Sequence, residues 1–153
     1  MTVEVDVQYA YEGCAEEFLP SVAQIEHWVA EALPQEARDT ALLTIRIVAL
    51  EEGQQLNERY RNGSGATNVL SFPYEGPQEA GLSLLGDIVI CAPVVAAQAR
   101  EQHKTAQAHW CHLVVHGLLH LVGYDHIDEG DAEAMEALEI DILGRLDFAN
   151  PYE

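Results

Sequence analysis

Residues 116 to 126 read HGLLHLVGYDH, and this run places three of the chain's seven histidines within eleven positions. An α-helix turns every 3.6 residues, so His116 and His120, at i and i+4, point the same way one turn apart. That spacing lets one helix offer two ring nitrogens to one metal ion. Gly117, Leu118, Leu119 and Leu121 turn the rest of the helix into the core. Gly123 then permits a sharp reversal, from which His126 can swing back towards the pair. Any fold for this chain must therefore bury most of a helix while keeping one edge of it open.

Three neutral imidazoles on one point leave a tetrahedral site one ligand short, the layout of catalytic rather than structural zinc. Water in the fourth position has its pKa drawn down towards about 7. Without an ion, three histidines crowded into one buried region would repel one another on protonation. Zinc is the expected ion, with nickel or another divalent transition metal chemically admissible, because imidazole suits several. His112 lies a further four residues back on the same face. Three successive turns, at about 5.4 Å each, span too far for one ion to bind 112, 116 and 120 together. His112 is therefore expected behind the ligands or in a substrate cleft. His109 lies a turn earlier still, and His27 and His103 sit in polar helical surroundings as surface residues.

Along the rest of the chain, Val3, Val5, Val7 and Tyr9 alternate with polar residues, the period of a half-buried strand. Val22, Ile25, Val29 and Ala32 follow at helical spacing, with Ser21 placed to cap after Pro20. Residues 42–50 predict a second strand with Leu43, Ile45 and Ile47 on one face. A helix from near Leu50 should carry Leu56 and Tyr60 inward and stop at the glycine-rich loop NGSGA, residues 62–66. TNVLSFP (67–73) and LGDIVI (85–90) predict two more strands, and residues 92–101 a helix with Pro93 in its first turn. A helix over Thr105 to Leu121 carries the histidines. Asp128 can cap a last helix whose buried stripe is Met135, Leu138 and Ile142. Strands and helices mix without strict βαβ alternation, which predicts an α/β or α+β layer fold around a small, mostly buried sheet.

At 153 residues the chain fits one domain, 1–153, with enough length to bury a real core. No signal peptide is visible, and the most apolar run, IVICAPVVAAQA, is too short for a bilayer and broken by Pro93. Cys14, Cys91 and Cys111 form no CxxC and no paired framework, which suits a reducing cytoplasm. The net charge is −19, yet residues 61–127 hold only five acids against three Lys/Arg. A polyanionic partner is opposed by the overall field but not excluded locally, above all beside a bound dication.

HGLLHLVGYDH resembles the HGxLHLxGYDH signature of the YbeY-type endoribonucleases, bacterial rRNA maturation factors. LNERYR (56–61), TNVLSFP, LGDIVI and MEALEIDIL (135–143) are similar to that family's other blocks, in the same order. The resemblance runs from about residue 41 to the C-terminus and more faintly through the first strand. It implies an α+β fold, a small mixed β-sheet packed with helices, with the metal site in a cleft beside a zincin-like HxxxH helix. It implies His116, His120 and His126 as metal ligands, and Arg61 as the functionally required arginine. We take Arg61 and His116 as the catalytic residues. The implied activity is metal-dependent cleavage of single-stranded RNA, in maturation of the 3′ end of small-subunit (16S) rRNA and in ribosome quality control. The implied partners are rRNA, the small ribosomal subunit and its assembly proteins, with no membrane. Family members often carry charge and a proline in the loop before TNVLSFP, whereas here that loop is NGSGA.

From spacing alone Arg61 reads as a solvated cation at a helix end. Its planar, always-charged fork does suit a phosphate. Asp125 can orient His126, act as a base or cap a turn, and Asn68, Ser71 and Asp87 can line the cleft. Two rival functions remain open at this point. A zinc peptidase shares HxxxH, but its water-activating Glu follows the first His directly, where this chain has Gly117. A metal-stabilised binding module would instead close the coordination shell with a fourth protein ligand.

Overall fold

Alternating burial along Val3, Val5 and Val7 forms β1 (Val3–Ala10), and a longer alternation forms β2 (Thr40–Val48). Between them runs α1 (Val22–Ala32), started by a capping box in which Ser21 and Gln24 satisfy each other's backbone N–H groups. The computed structural model describes residues 3–11, 18–33, 40–61, 67–77, 82–124 and 129–152, the side chains of Arg61 and Glu129 excepted. The remaining elements are α2 (Leu50–Arg61), β3 (Val69–Pro73), β4 (Leu82–Cys91), α3 (Ala92–Glu101), α4 (Ala106–Leu121) and α5 (Glu129–Arg145). Asp128, the expected cap of α5, lies outside the described residues.

The sheet order is β1-β2-β4-β3, with β1, β2 and β4 parallel and β3 antiparallel to β4. The expected small mixed sheet is present. Leu43, Ile45, Ile47, Ile88 and Ile90 point to one face, where α1 and α4 bury them with Trp28, Trp110 and Leu118. Val48, Leu70, Val89 and Cys91 point the other way and meet Leu56 of α2. β3 therefore divides its side chains: Leu70 and Phe72 turn towards α2, while Val69 and Ser71 turn towards α4.

Tyr60, expected to turn inward, is not in the core, and Val22 and Tyr9, at the ends of their apolar stripes, are exposed as well. Tyr60 is 54% exposed, and its ring rests edge-on against Phe72 with centroids 5.6 Å apart. The buried face of α2 runs instead through Gly53 and Asn57. Helical phase does not explain the difference, since residue 60 nearly shares the phase of 53 and 57; Tyr60 stands in the last turn of α2, against Phe72 near the end of β3. Gly53 permits the close approach, because a Cβ there would sit 3.0 Å from Cys91 Sγ. Cys91 and Cys111 are buried free thiols, and burial pushes the Cys111 pKa up to about 12.

The register of β4 shifts by one residue: Leu42 faces Leu84 and Leu43 faces Gly86, leaving Leu85 as an extra residue. Gly86 absorbs the kink at φ +129, and a Cβ there would lie 2.2 Å from the Phe72 carbonyl oxygen. Gly86→Ala should therefore destabilise the protein by roughly 2–4 kcal/mol, from strain plus collision with backbone. Urea unfolding would measure this, and an unchanged midpoint would contradict it. A second expectation concerns His109, which is buried where α3 meets α4 and donates from Nε2 to Gln98 Oε1 at 2.9 Å. Burial, helped by the nearby His112 and Lys104, lowers its pKa to about 4. Between pH 6.5 and 4 the unfolded chain binds a proton that the folded chain refuses. Stability is then complete above pH 6.5 and falls as the pH drops towards 4, by up to about 3 kcal/mol. Wild type should lose that much relative to His109→Gln in unfolding titrations from pH 7.5 to 4; a constant gap would contradict it.

Candidate metal centre

Helix α4 is apolar nearly all round, as a helix in the centre of a core must be. It begins at a Thr105 cap, whose hydroxyl accepts from the Ala108 N–H, and ends where Gly123 takes φ +108. From His109 to Leu121 every residue is buried except His112, His116 and His120. The one edge of the helix that meets the surface is thus a line of imidazoles at i, i+4 and i+8.

Nε2 of His116 and Nε2 of His120 face each other at 3.1 Å. Two nitrogens sharing a tetrahedral zinc, at about 2.0–2.1 Å each, would stand roughly 3.3 Å apart. The pair therefore fits a common cation, and the donor chemistry, two imidazoles, is zinc's own preference. The His112 and His116 ring centroids stand 6.1 Å apart, against 4.6 Å for His116 and His120, so His112 does not join the pair. His126 and Asp125 lie outside the described residues. Arg61 ends α2, and its side chain lies outside them too.

The pair opens on a cleft of about 670 Å³ between α4 and β3. Asn57, Asn68, Ser71 and Tyr124 line it with neutral polar groups, and no Lys or Arg does so among the described residues. Asn68 and Ser71 are therefore on the cleft, as expected. Asp87 is not. It lines a separate hollow on the open face of the sheet, with Glu4 and Asp6. Strand alternation is the cause, for Asp87 stands opposite Phe72 in the ladder, on the face turned away from α4. Ser71 Oγ donates to the Gly117 carbonyl at 3.0 Å and ties β3 to the histidine helix. Asn68 Nδ2 donates to Gln98 Oε1 at 3.1 Å, the same oxygen that receives His109. The amide of Asn68 is thereby oriented from behind the cleft.

Gly117 bears on the peptidase rival. A Cβ at this position would meet Ile88 Cγ2 at 3.0 Å and Ser71 Oγ at 3.2 Å. Position 117 points into the sheet, so a carboxylate there would be driven into the core rather than towards the ion. Water activation by a Glu after the first His has no place in this fold.

Sequence reasoning missed Glu139. It sits on α5 within the stripe of Met135, Leu138 and Ile142, and is 0% exposed. Its Oε2 accepts from His112 Nε2 at 2.5 Å, its Oε1 accepts from Tyr152 Oη at 3.0 Å, and His116 Nδ1 lies 3.4 Å from each oxygen. Burial works to raise its pKa, but the hydrogen bonds and charge of His112 and His116 outweigh burial and hold it down at about 2. Burial and the Glu139 charge push the Tyr152 phenol the other way, keeping it a donor. The signal was available, since an acid four residues after Met135 and three before Ile142 interrupts an apolar stripe. His112, His116 and Glu139 offer atoms all within 4.8 Å of one another, a set with the chemistry of a cation site in its own right.

The comparisons agree with this picture. The family described as Endoribonuclease YbeY matches residues 14–147. The chain is 51% identical over 150 residues to the Endoribonuclease YbeY of Cellvibrio japonicus, covering 98% of this chain and 83% of that one. The solution structure of TM1509 from Thermotoga maritima aligns with a TM-score of 0.58 at 21% identity, over 98% of this chain and 99% of that one, which supports the fold. With a family match across most of its length and a close relative over nearly all of it, the chain belongs to the YbeY endoribonuclease family.

Proposed function

We propose that this protein is a zinc-dependent endoribonuclease that cuts single-stranded RNA, with His116, His120 and His126 as the ligands and Arg61 and His116 as catalytic residues. The observation that carries this reading is the 3.1 Å approach of the His116 and His120 Nε2 atoms at the wall of a polar cleft. Zinc held there would supply a Lewis acid able to polarise a phosphoryl oxygen or activate water. Position 61 lies one turn beyond Asn57 on the same face of α2, and Asn57 lines the cleft. A guanidinium at that end meets charge developing on the nonbridging phosphate oxygens, which the neutral cleft lining does not. Asn57, Asn68 and Tyr124 are placed to hydrogen-bond sugar or base edges of an unpaired strand.

The family resemblance supports a role in maturing the 3′ end of 16S rRNA and in ribosome quality control, in the cytoplasm, beside the small subunit and its assembly proteins. The charge supports a role for a partner. At −19 the chain repels free RNA over long range, so a ribosomal surface must bring substrate to the cleft. Isolated protein should cleave single-stranded RNA slowly, and small-subunit particles should accelerate it at least tenfold. Fast, salt-insensitive cleavage by the protein alone would contradict this.

Elemental analysis and an RNase assay on three proteins test the site itself. Wild type should carry about one zinc per chain. His120→Ala should lose the metal and the activity, whereas Arg61→Ala should keep the metal and lose at least tenfold to hundredfold in cleavage. Metal retained by His120→Ala would break the ligand assignment, and full activity in Arg61→Ala would break the role given to Arg61.

A further inference from the structure

Glu139 is costly where it stands. A carboxylate wholly removed from water, among Met135, Ile142 and Leu143, is strongly disfavoured by desolvation unless donors surround it. A leucine would continue the stripe with no such cost. The donors are present and they are ordered. His112 fills one side of Oε2 and Tyr152 fills one side of Oε1, which leaves the carboxylate facing His116 Nδ1 symmetrically, 3.4 Å from both oxygens. The three partners come from two parts of the chain, α4 and the C-terminal segment, and converge on a single residue of α5.

A carboxylate has no proton to give, so the hydrogen between it and His116 belongs to Nδ1. That fixes the tautomer and directs the Nε2 lone pair outward, to the side where His120 Nε2 stands at 3.1 Å. The two nitrogens of one ring diverge and cannot both serve the same ion. A cation held by His116 and His120 through Nε2 therefore excludes His116 Nδ1 as a ligand. His112, His116 and Glu139 are then the support of the metal site and not a second site.

We propose that Glu139 is a positioning residue for the metal centre, holding His116 by its Nδ1–H and itself held by His112 and Tyr152. The proposal rests on the zinc site inferred above. A carboxylate behind a ligating imidazole raises the basicity of the ligand and fixes the plane of its ring, and removing such a support costs about tenfold to hundredfold in metal affinity. The clamp also makes Tyr152, 26 residues beyond the last expected ligand, part of the site. The final segment is docked through Tyr152 and through Lys104 Nζ, which donates to the Pro151 carbonyl.

The test is a chelator competition for zinc, read together with the visible spectrum of the cobalt-substituted protein. Wild type, Glu139→Gln, Tyr152→Phe and His120→Ala are compared, with Ile25→Val as a destabilised control in the α1 core. Glu139→Gln should still bind one zinc, about tenfold to hundredfold more weakly, with displaced cobalt bands. Tyr152→Phe should weaken zinc a few-fold in the same direction, and Ile25→Val should leave affinity and spectrum at wild-type values. In metal-free protein, nitrogen-15 NMR should find His116 as the Nδ1–H tautomer in wild type and not in Glu139→Gln. Wild-type affinity with an unaltered cobalt spectrum in Glu139→Gln would overturn the proposal. Zinc lost as completely in Glu139→Gln as in His120→Ala would overturn it too, by making Glu139 a ligand. Full zinc affinity in His120→Ala would instead overturn the site on which the proposal stands.

Discussion

The close approach of α4 to the sheet at Gly117 governs what is built on top of it. With no side chain at that position, the helix comes within contact of Ile88, and the Gly117 carbonyl can take the Ser71 hydroxyl. That contact fixes the rotation of α4 about its axis. Once the rotation is fixed, the faces carrying Val114, Leu118 and Leu121 are committed to the core, and the edge carrying 112, 116 and 120 is what remains. The imidazoles are therefore aimed by packing, so the site is preorganised by the fold itself.

The second constraint is electrostatic, and it works at two ranges. Close to the centre, a buried anion, Glu139, is neutralised by hydrogen bonds from His112 and Tyr152 and faces His116. Far from it, the acids lie chiefly in the first sixty residues and the last twenty-six, leaving the histidine-bearing middle close to neutral. Glu4, Asp6 and Asp87 line the hollow on the open sheet face, apart from the cleft. A chain so acidic can accommodate a phosphodiester only where the local charge differs from the global one, and the cleft between α4 and β3 is such a place. Its described lining holds no Lys, Arg, Asp or Glu.

Much of this was legible in the sequence, for reasons that differ from residue to residue. Alternation over Val3, Val5 and Val7 and along β2, the Ser21 cap and the Gly123 stop are local signals, and each sits where its pattern placed it, though Tyr9 breaks the alternation and is exposed. The i, i+4 pair of His116 and His120 is likewise a property of one helix. Tyr60 and Asp87 failed because their surroundings are set by register and helix rotation relative to distant strands, which no local period encodes. Glu139 was passed over because an acid within an apolar stripe looks like an interruption until the residues opposite it are known. Those partners, His112 and Tyr152, stand 27 and 13 residues away along the chain. His112, expected behind the ligands or in a substrate cleft, is bonded to the carboxylate that faces His116. His126, Asp125 and the Arg61 side chain fall outside the described residues.

The central claim is that His116 and His120 share one ion through Nε2 and leave a corner for solvent. X-ray absorption at the zinc edge, on protein loaded with one equivalent, tests it most directly. The account predicts imidazole nitrogens at about 2.0–2.1 Å, an additional light-atom ligand that exchanges with added anion, and no sulfur. A sulfur shell near 2.3 Å, or a coordination sphere closed by four protein ligands and indifferent to added anion, would contradict it.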